Sequence, residues 1–137
     1  MLTDEEREAL VKYRMEKAYA TLTEAHDCAR INHWTLAANR LYYAAYYASK
    51  ALLIQNGIVA KSHEGVIGMI GQNFVVPGIL SKDEAKLLAR LQSMRMTGDY
   101  DDFMEWDEEE VEPLFSRVED YINKIKTLVE HKELEKE

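Results

Sequence analysis

Apolar residues recur along this chain at helical spacing in long stretches separated by short polar breaks. No segment keeps the two-residue alternation of a half-buried strand beyond the brief Asn73–Val76. The strongest stretch is Asn39–Leu53. Residues three, four and seven apart share a helix face, so Leu41, Ala44, Ala45, Ala48 and Leu52 line one apolar stripe. Tyr42 with Tyr46, and Tyr43 with Tyr47, add two further ladders, and Arg40 sits one turn before Tyr43 and Ala44. A helix that is apolar or aromatic nearly all round is covered on more than one side. The pattern predicts a central bundle helix, or one shared between the core and a dimer seam, with alanines that admit a neighbouring helix at close range.

Four more helices frame it. Thr3-Asp4-Glu5-Glu6 reads as a capping box, opening a helix to about Cys28 with Leu10, Ala18, Leu22, Ala25 and Ala29 in register. Asn32 is the expected cap of the tyrosine helix, which stops at Asn56-Gly57. Ser62 is the expected cap of a short helix from His63 to about Asn73; its Gly65, Gly68 and Gly71 weaken it but permit close packing. After a Val76-Pro77-Gly78 loop, Ser81-Lys82-Asp83-Glu84 opens a helix carrying Leu87, Leu88, Leu91 and Met94 and ending near Gly98. Asp107–Glu110 places negative charge at the start of the last helix, favourable to its dipole, followed by Val111, Phe115, Val118, Ile122, Ile125 and Val129. The expectation is an all-α, up-and-down bundle of about five helices in a single domain over residues 1–137, with an acidic tail that frays from about residue 130.

Composition narrows the function. The 137 residues suffice for one sizeable core, and two prolines and six glycines suit long helices. A single cysteine, Cys28, excludes an intrachain disulfide and fits a reducing cytoplasm. The polar, acidic start is unlike a signal peptide, and no apolar run approaches the roughly 20 residues a membrane span needs. The expected location is the cytoplasm, with no membrane contact. The net charge of −8 is unevenly spread: residues 1–98 hold 12 Lys+Arg against 10 Asp+Glu, residues 99–137 hold 5 against 15. A general nucleic-acid-binding surface is thus disfavoured, while a local cationic site in the first two thirds is allowed.

Arg95 continues the buried face of the fourth helix, four after Leu91 and seven after Leu88. A buried guanidinium needs a partner. Two readings stay open: a structural Arg95–Asp99 pair one turn apart, or a phosphate site formed by Arg95, Arg40 and His63. His63 follows the cap Ser62, where N–H groups suit an anion and the helix dipole lowers a histidine's pKa. His26, His33 and His131 are scattered, Cys28 has no partner, and no metal or cofactor motif occurs; neither a metal nor a cofactor is expected.

These residues resemble the HEPN domain family over roughly residues 5–130. The anchors are Asn39-Arg40-x-Tyr42-Tyr43-Ala44-x-Tyr46-x-Ala48-x-Lys50-Ala51-Leu52-Leu53, then Ser62-His63-x-Gly65-Val66, then Arg95-x-x-x-Asp99-Tyr100-x-Asp102-Phe103. The resemblance implies a bundle that dimerises through its helices, here with Tyr42, Tyr43, Tyr46 and Tyr47 of the second helix at the seam and the fourth helix beside it. Many members are metal-independent ribonucleases, often toxins, signed by Arg, four to six residues, then His. In them the His acts on the ribose 2′-hydroxyl and the Arg steadies phosphate charge in a cleft at the seam. Bacterial and archaeal members are often encoded beside a minimal nucleotidyltransferase that serves as antitoxin. No Arg of this chain is followed by His at that spacing; five residues after Arg95 stands Tyr100. The chain is similar to the branch with Arg…Asp-Tyr, which makes Arg95 and Tyr100 the catalytic candidates. A tyrosine near its ordinary pKa is a poor base at neutral pH. The function expected from the resemblance is that of a toxin–antitoxin-like component paired with a nucleotidyltransferase, with RNA cleavage left open by the missing Arg…His signature. The alternative is a dimeric, non-catalytic binder of a nucleotide or a partner protein.

Overall fold

The computed structural model describes residues 1–135, and within them every element is helical. Six α-helices follow in order: α1 Asp4–Arg30, α2 Trp34–Gln55, α3 His63–Ile70, α4 Lys82–Tyr100, the single turn α5 Glu108–Val111, and α6 Leu114–Glu135. A π-helical turn, Gly71–Val75, extends α3. It occupies most of the segment with brief strand character. The all-α bundle read from periodicity is therefore the observed architecture.

Helix α2 touches all the others and forms the axis of the core. Its alanines Ala37, Ala38, Ala44, Ala45, Ala48 and Ala51 are at most 1% exposed, with Leu41 and Leu52 beside them. Facing them, α1 contributes Val11, Met15, Ala18, Leu22 and Ala25, a register in which the expected Leu10 and Ala29 fall to the half-buried edge. From the other side α6 supplies Val118, Tyr121, Ile122 and Ile125, all at most 1% exposed. The Tyr121 hydroxyl, raised above the usual tyrosine range by burial and so a firm donor, bonds Ser49 Oγ at 2.6 Å, and Ser49 in turn donates to the Ala45 carbonyl at 2.8 Å. This satisfies two hydroxyls where an unpaired one costs about 1–3 kcal/mol.

The helix ends follow from single residues. Thr3 and Ser81 each close a capping box as read, with Thr3 Oγ1 accepting from Glu6 N–H and Ser81 Oγ from Glu84 N–H. Asn32 does not cap α2. It takes a left-handed conformation, φ 62°, and ends α1, where the His33 and Asn32 N–H groups return to the Cys28 and Ala29 carbonyls. Gly57, φ 72°, ends α2 in the same way through Leu53 and Ile54.

Four further expectations differ from the structure. Gly68 and Gly71 have open space where a Cβ would stand, so close packing is confined to Gly65, whose Cβ would meet Ser62 Oγ at 2.9 Å. Gly98 lies inside α4, which runs on to Tyr100; a Cβ there would meet Thr35 at 3.1 Å and the Trp106 ring nitrogen at 3.3 Å. Pro113, lacking an N–H, separates α5 from α6, so the last helix is two pieces. The tail expected to fray from about residue 130 stays helical to Glu135; residues 136 and 137 lie outside the described part.

Candidate functional site

The tyrosine face of α2, the last two turns of α4 and the first residue of α3 meet at one place. Arg95 reaches it from α4, 9% exposed, because Leu88 and Leu91 anchor the same helix face in the core. Its guanidinium lies 5.5 Å from the ring centres of both Tyr42 and Tyr43 and 5.9 Å from that of Tyr100. Arg40 stands 5.1 Å from the Tyr43 ring, so two guanidinium groups attend one tyrosine. Tyr42 is 1% exposed and belongs to the core, which leaves Tyr43, Tyr46 and Tyr47 as the half-buried members able to face a partner. Tyr100 is 70% exposed at the helix end.

The expected Arg95–Asp99 pair is present as an ion pair, Nε to Oδ2 at 3.5 Å, too long to satisfy the Nε–H, which has no hydrogen-bond partner. Asp99 is engaged elsewhere. Both its oxygens accept from Asn39 Nδ2, at 3.1 and 3.0 Å, and the Asn39 carbonyl oxygen accepts from Arg40 Nε and Nη2 at 3.0 and 2.8 Å. Arg40 also lies 3.7 Å from Glu24. A polar relay thus runs from Arg40 through Asn39 and Asp99 to Arg95. It holds both arginines in place while leaving a buried donor on Arg95 unused, a costly condition unless another acceptor completes it.

His63 is held by two tyrosines of α2. It stacks on Tyr46 with centroids 4.5 Å apart and planes at 25°, and its Nδ1 is 2.6 Å from the Tyr42 hydroxyl. Burial first, then the Arg95 charge, with Lys50 adding to it and Glu64 opposing, hold His63 below the usual histidine range. Burial lifts the Tyr42 phenol well above the ordinary tyrosine range, only partly offset by Arg95. The direction of this bond is set by the imidazole tautomer: with Tyr42 as donor, Nδ1 of the neutral ring accepts and the ring proton sits on Nε2.

Ser62 Oγ caps the Gly65 N–H at 2.9 Å, setting the start of α3 and with it the position of His63. The remaining histidines stand apart from the site. His26 rests on Phe115 with centroids 4.7 Å apart, His131 pairs with Glu135 one turn on, and His33 precedes α2 without a side-chain cap bond. Burial raises the Cys28 thiol above its usual range, which disfavours a nucleophilic thiolate there. Among the described residues no three His, Cys, Asp or Glu side chains gather where they could share a metal. The acidic segment is exposed. Within it Asp107 caps α5 through the Glu110 N–H at 3.0 Å, and Trp106 pins the loop by donating its ring N–H to the Met94 carbonyl.

Sequence reasoning gave no role to Asn39 or Lys50, though both stand in the first anchor of the resemblance, and it passed over Lys17. Lys17 lies over Tyr47 and Tyr13, and Lys50 over Tyr46. Both stand four residues after a tyrosine of their own helix, a spacing that could have marked them.

Comparison with known proteins adds an independent line. The family model described as HEPN domain matches residues 11–128. A UPF0332 protein of Thermotoga maritima is 31% identical over 125 residues, covering 91% of this chain and 95% of its own. A protein of Methanocaldococcus jannaschii named "Putative toxin" is 30% identical over 112 residues, 82% of this chain and 76% of its own. A second protein of that organism bearing the same description is 32% identical over 90 residues, 66% of each chain.

Proposed function

This chain belongs to the HEPN domain family, and on that premise we propose that it is a toxin-like, dimeric phosphate binder working opposite a minimal nucleotidyltransferase. The observation that carries the reading is the Arg95 guanidinium. It is buried, placed over three tyrosines, and linked through Asp99 and Asn39 to Arg40, with its buried Nε–H unpaired. An anion in reach of Arg95, Arg40 and the outward Nε2–H of His63 completes that donor set, since charged phosphate oxygens form the stronger hydrogen bonds. The two relatives named as toxins support the toxin-like role. The tyrosine face of α2 and the end of α4 form the seam, so that two copies of the site meet in one cleft. No helix of the described residues is long and apolar enough to cross a membrane, and the single cysteine fits a reducing cytoplasm, where we place the protein.

If the cleft also cuts RNA, Arg95 meets the charge developing on phosphorus and the Tyr100 hydroxyl moves a proton. A preorganised cation in that role is worth several kcal/mol. The non-catalytic reading is favoured by a different observation: the Tyr42 hydroxyl lies 2.6 Å from His63 Nδ1, so one of the site histidine's two ring nitrogens is already engaged.

The test is growth arrest on expression without the partner, together with cleavage of cellular RNA. Arg95→Met keeps the aliphatic stem and removes the charge. It is expected to stay folded and dimeric while losing arrest, with cleavage reduced about 100-fold or more. A folded Arg95→Met variant that arrests growth like the wild type overturns the Arg95 reading. Tyr100→Phe separates the two activities: full retention leaves a binder, and loss of cleavage with intact dimer and intact phosphate binding assigns the proton step to Tyr100.

A further inference from the structure

Between Leu36 and Lys50, helix α2 is buried except along one stripe, which runs from Leu36 through Arg40, Tyr43 and Tyr47 to Lys50. Leu36, Tyr43 and Lys50 follow one another at seven-residue steps, so they lie nearly in line over about 21 Å. Tyr43 is the midpoint. Two turns of α1 run alongside in the opposite sense. Lys17 Nζ is 4.7 Å from the Tyr47 ring centre, and Glu24 is 3.7 Å from Arg40. The strip therefore has one middle on both helices, near Tyr43 on α2 and between Ala20 and Thr21 on α1.

The two ends of the strip carry opposite charge. Arg14, Lys17 and Lys50 gather at one end, and among the described residues none of them has a carboxylate within ion-pair distance. Arg14 and Lys50 share the wall of a small recess. Burial first, then the Arg14 and Lys17 charges, hold Lys50 below the usual lysine range. At the other end stand Glu24 of α1, Asp99 of α4 and Glu105, the last two lining a hollow with Leu36 and Asn39. The arginines nearest that end are tied within the chain, Arg40 to Asn39 and Glu24, and Arg95 to Asp99.

A strip with one cationic and one acidic end complements itself when turned end over end. We infer that a second copy of this chain covers it with its α2 antiparallel, the twofold axis crossing near Tyr43, so that Arg14, Lys17 and Lys50 of each copy meet the acidic end of the other. The inference rests on the dimer proposed above and goes beyond it by fixing the direction of the seam and the charges that set it. With the α2 helices parallel instead, the Lys50 side chains of the two copies face each other, and like charges across an interface repel. The antiparallel seam also brings Arg95, 5.5 Å from the Tyr43 ring centre, close to the axis, so the two Arg95 sites open into one cleft.

Exchanging two charges within one chain tests the pairing, with dimer dissociation constants read by sedimentation in low salt, where surface charges are least screened. Lys17→Glu alone and Glu24→Lys alone each set like charges across the seam. Each is expected to weaken the dimer about tenfold, because the twofold repeats the contact. The double variant Lys17→Glu/Glu24→Lys reverses both charges and should return to within about threefold of the wild type. Both positions are exposed, and circular dichroism checks that every variant stays helical. Direction is read separately, with a short bismaleimide on Leu36→Cys and Lys50→Cys chains made in a Cys28→Ser background. The two should cross-link when mixed and hardly at all alone. Self-cross-linking by either chain overturns the antiparallel seam and leaves the proposed dimer standing. A folded double variant as weak as the single ones, or single variants as tight as the wild type, overturns the charge pairing. A wild type that is monomeric throughout overturns the dimer of the proposed function itself.

Discussion

At the level of single residues, His63 shows how neighbours choose a role for an ambiguous side chain. With its pKa held below the ordinary value in the folded state, it stays neutral where an unfolded histidine would charge. The sign follows: between the folded pKa and the usual 6.5 the unfolded chain binds the extra proton, so stability falls as pH drops through that window. His63→Gln should remove that part of the dependence, read as a smaller difference between melting temperatures at pH 7 and pH 5.5 than in the wild type. Nitrogen-15 spectra of the wild type at neutral pH should show Nε2 protonated and Nδ1 bare. A protonated Nδ1 there would refute the donor role assigned to the Tyr42 hydroxyl. Two isolated features, a histidine after a serine cap and a tyrosine ladder, were legible in the sequence. Their contact across 21 residues was not, because no spacing within one helix encodes it.

Among the elements, helix stops and starts carry much of the specification. Ser81→Ala removes the acceptor for the Glu84 N–H, and should cost about 1 kcal/mol. Gly57→Ala forces a side chain into a left-handed conformation and should cost about 1 kcal/mol or slightly more. Both are readable as lower urea midpoints at unchanged slope; a midpoint that does not move would remove the cap or the turn from the account. Capping boxes were legible because their two partners sit three residues apart. Asn32 was misread because asparagine serves equally as an N-cap and as a left-handed stop, and which applies depends on backbone bonds to Cys28 and Ala29. The α4 end was misplaced for a related reason. Gly98 looks like a helix terminator until Trp106, folded back onto Met94, is seen to need the room.

For the molecule as a whole, the proposed dimer accounts for apolar surface that one chain leaves uncovered. Leu36 on α2 and Met96 and Tyr100 on α4 are 49%, 44% and 70% exposed, and Phe103 just beyond α4 is 99% exposed. Sedimentation velocity should give a dimer at about 10 µM and above, the range expected for a micromolar or tighter association; a monomer throughout would remove the seam. The fold class was legible from periodicity alone, because helix-forming stretches bounded by caps leave little else to build. The site was legible only as separate candidates. Arg40 and Arg95 could be named from the sequence as candidates for the site, whereas Asn39, legible only as part of an anchor, shows its bridging role through Asp99 once α4 packs across α2.

The three-residue link between α1 and α2 has a consequence for synthesis. Ile31–His33 closes a very short loop, and the alanine faces of the two helices can meet as soon as residue 55 is available. Chains form domains from the N-terminus as they are made. For a further 40 residues of translation, the hairpin therefore carries the tyrosines, Arg14, Lys17 and Lys50, but no Arg95 to sit over them. Only when α4 docks does the buried guanidinium arrive, so a ribosome-bound chain holds the scaffold of the site without its Arg95 cation until most of the molecule has been built.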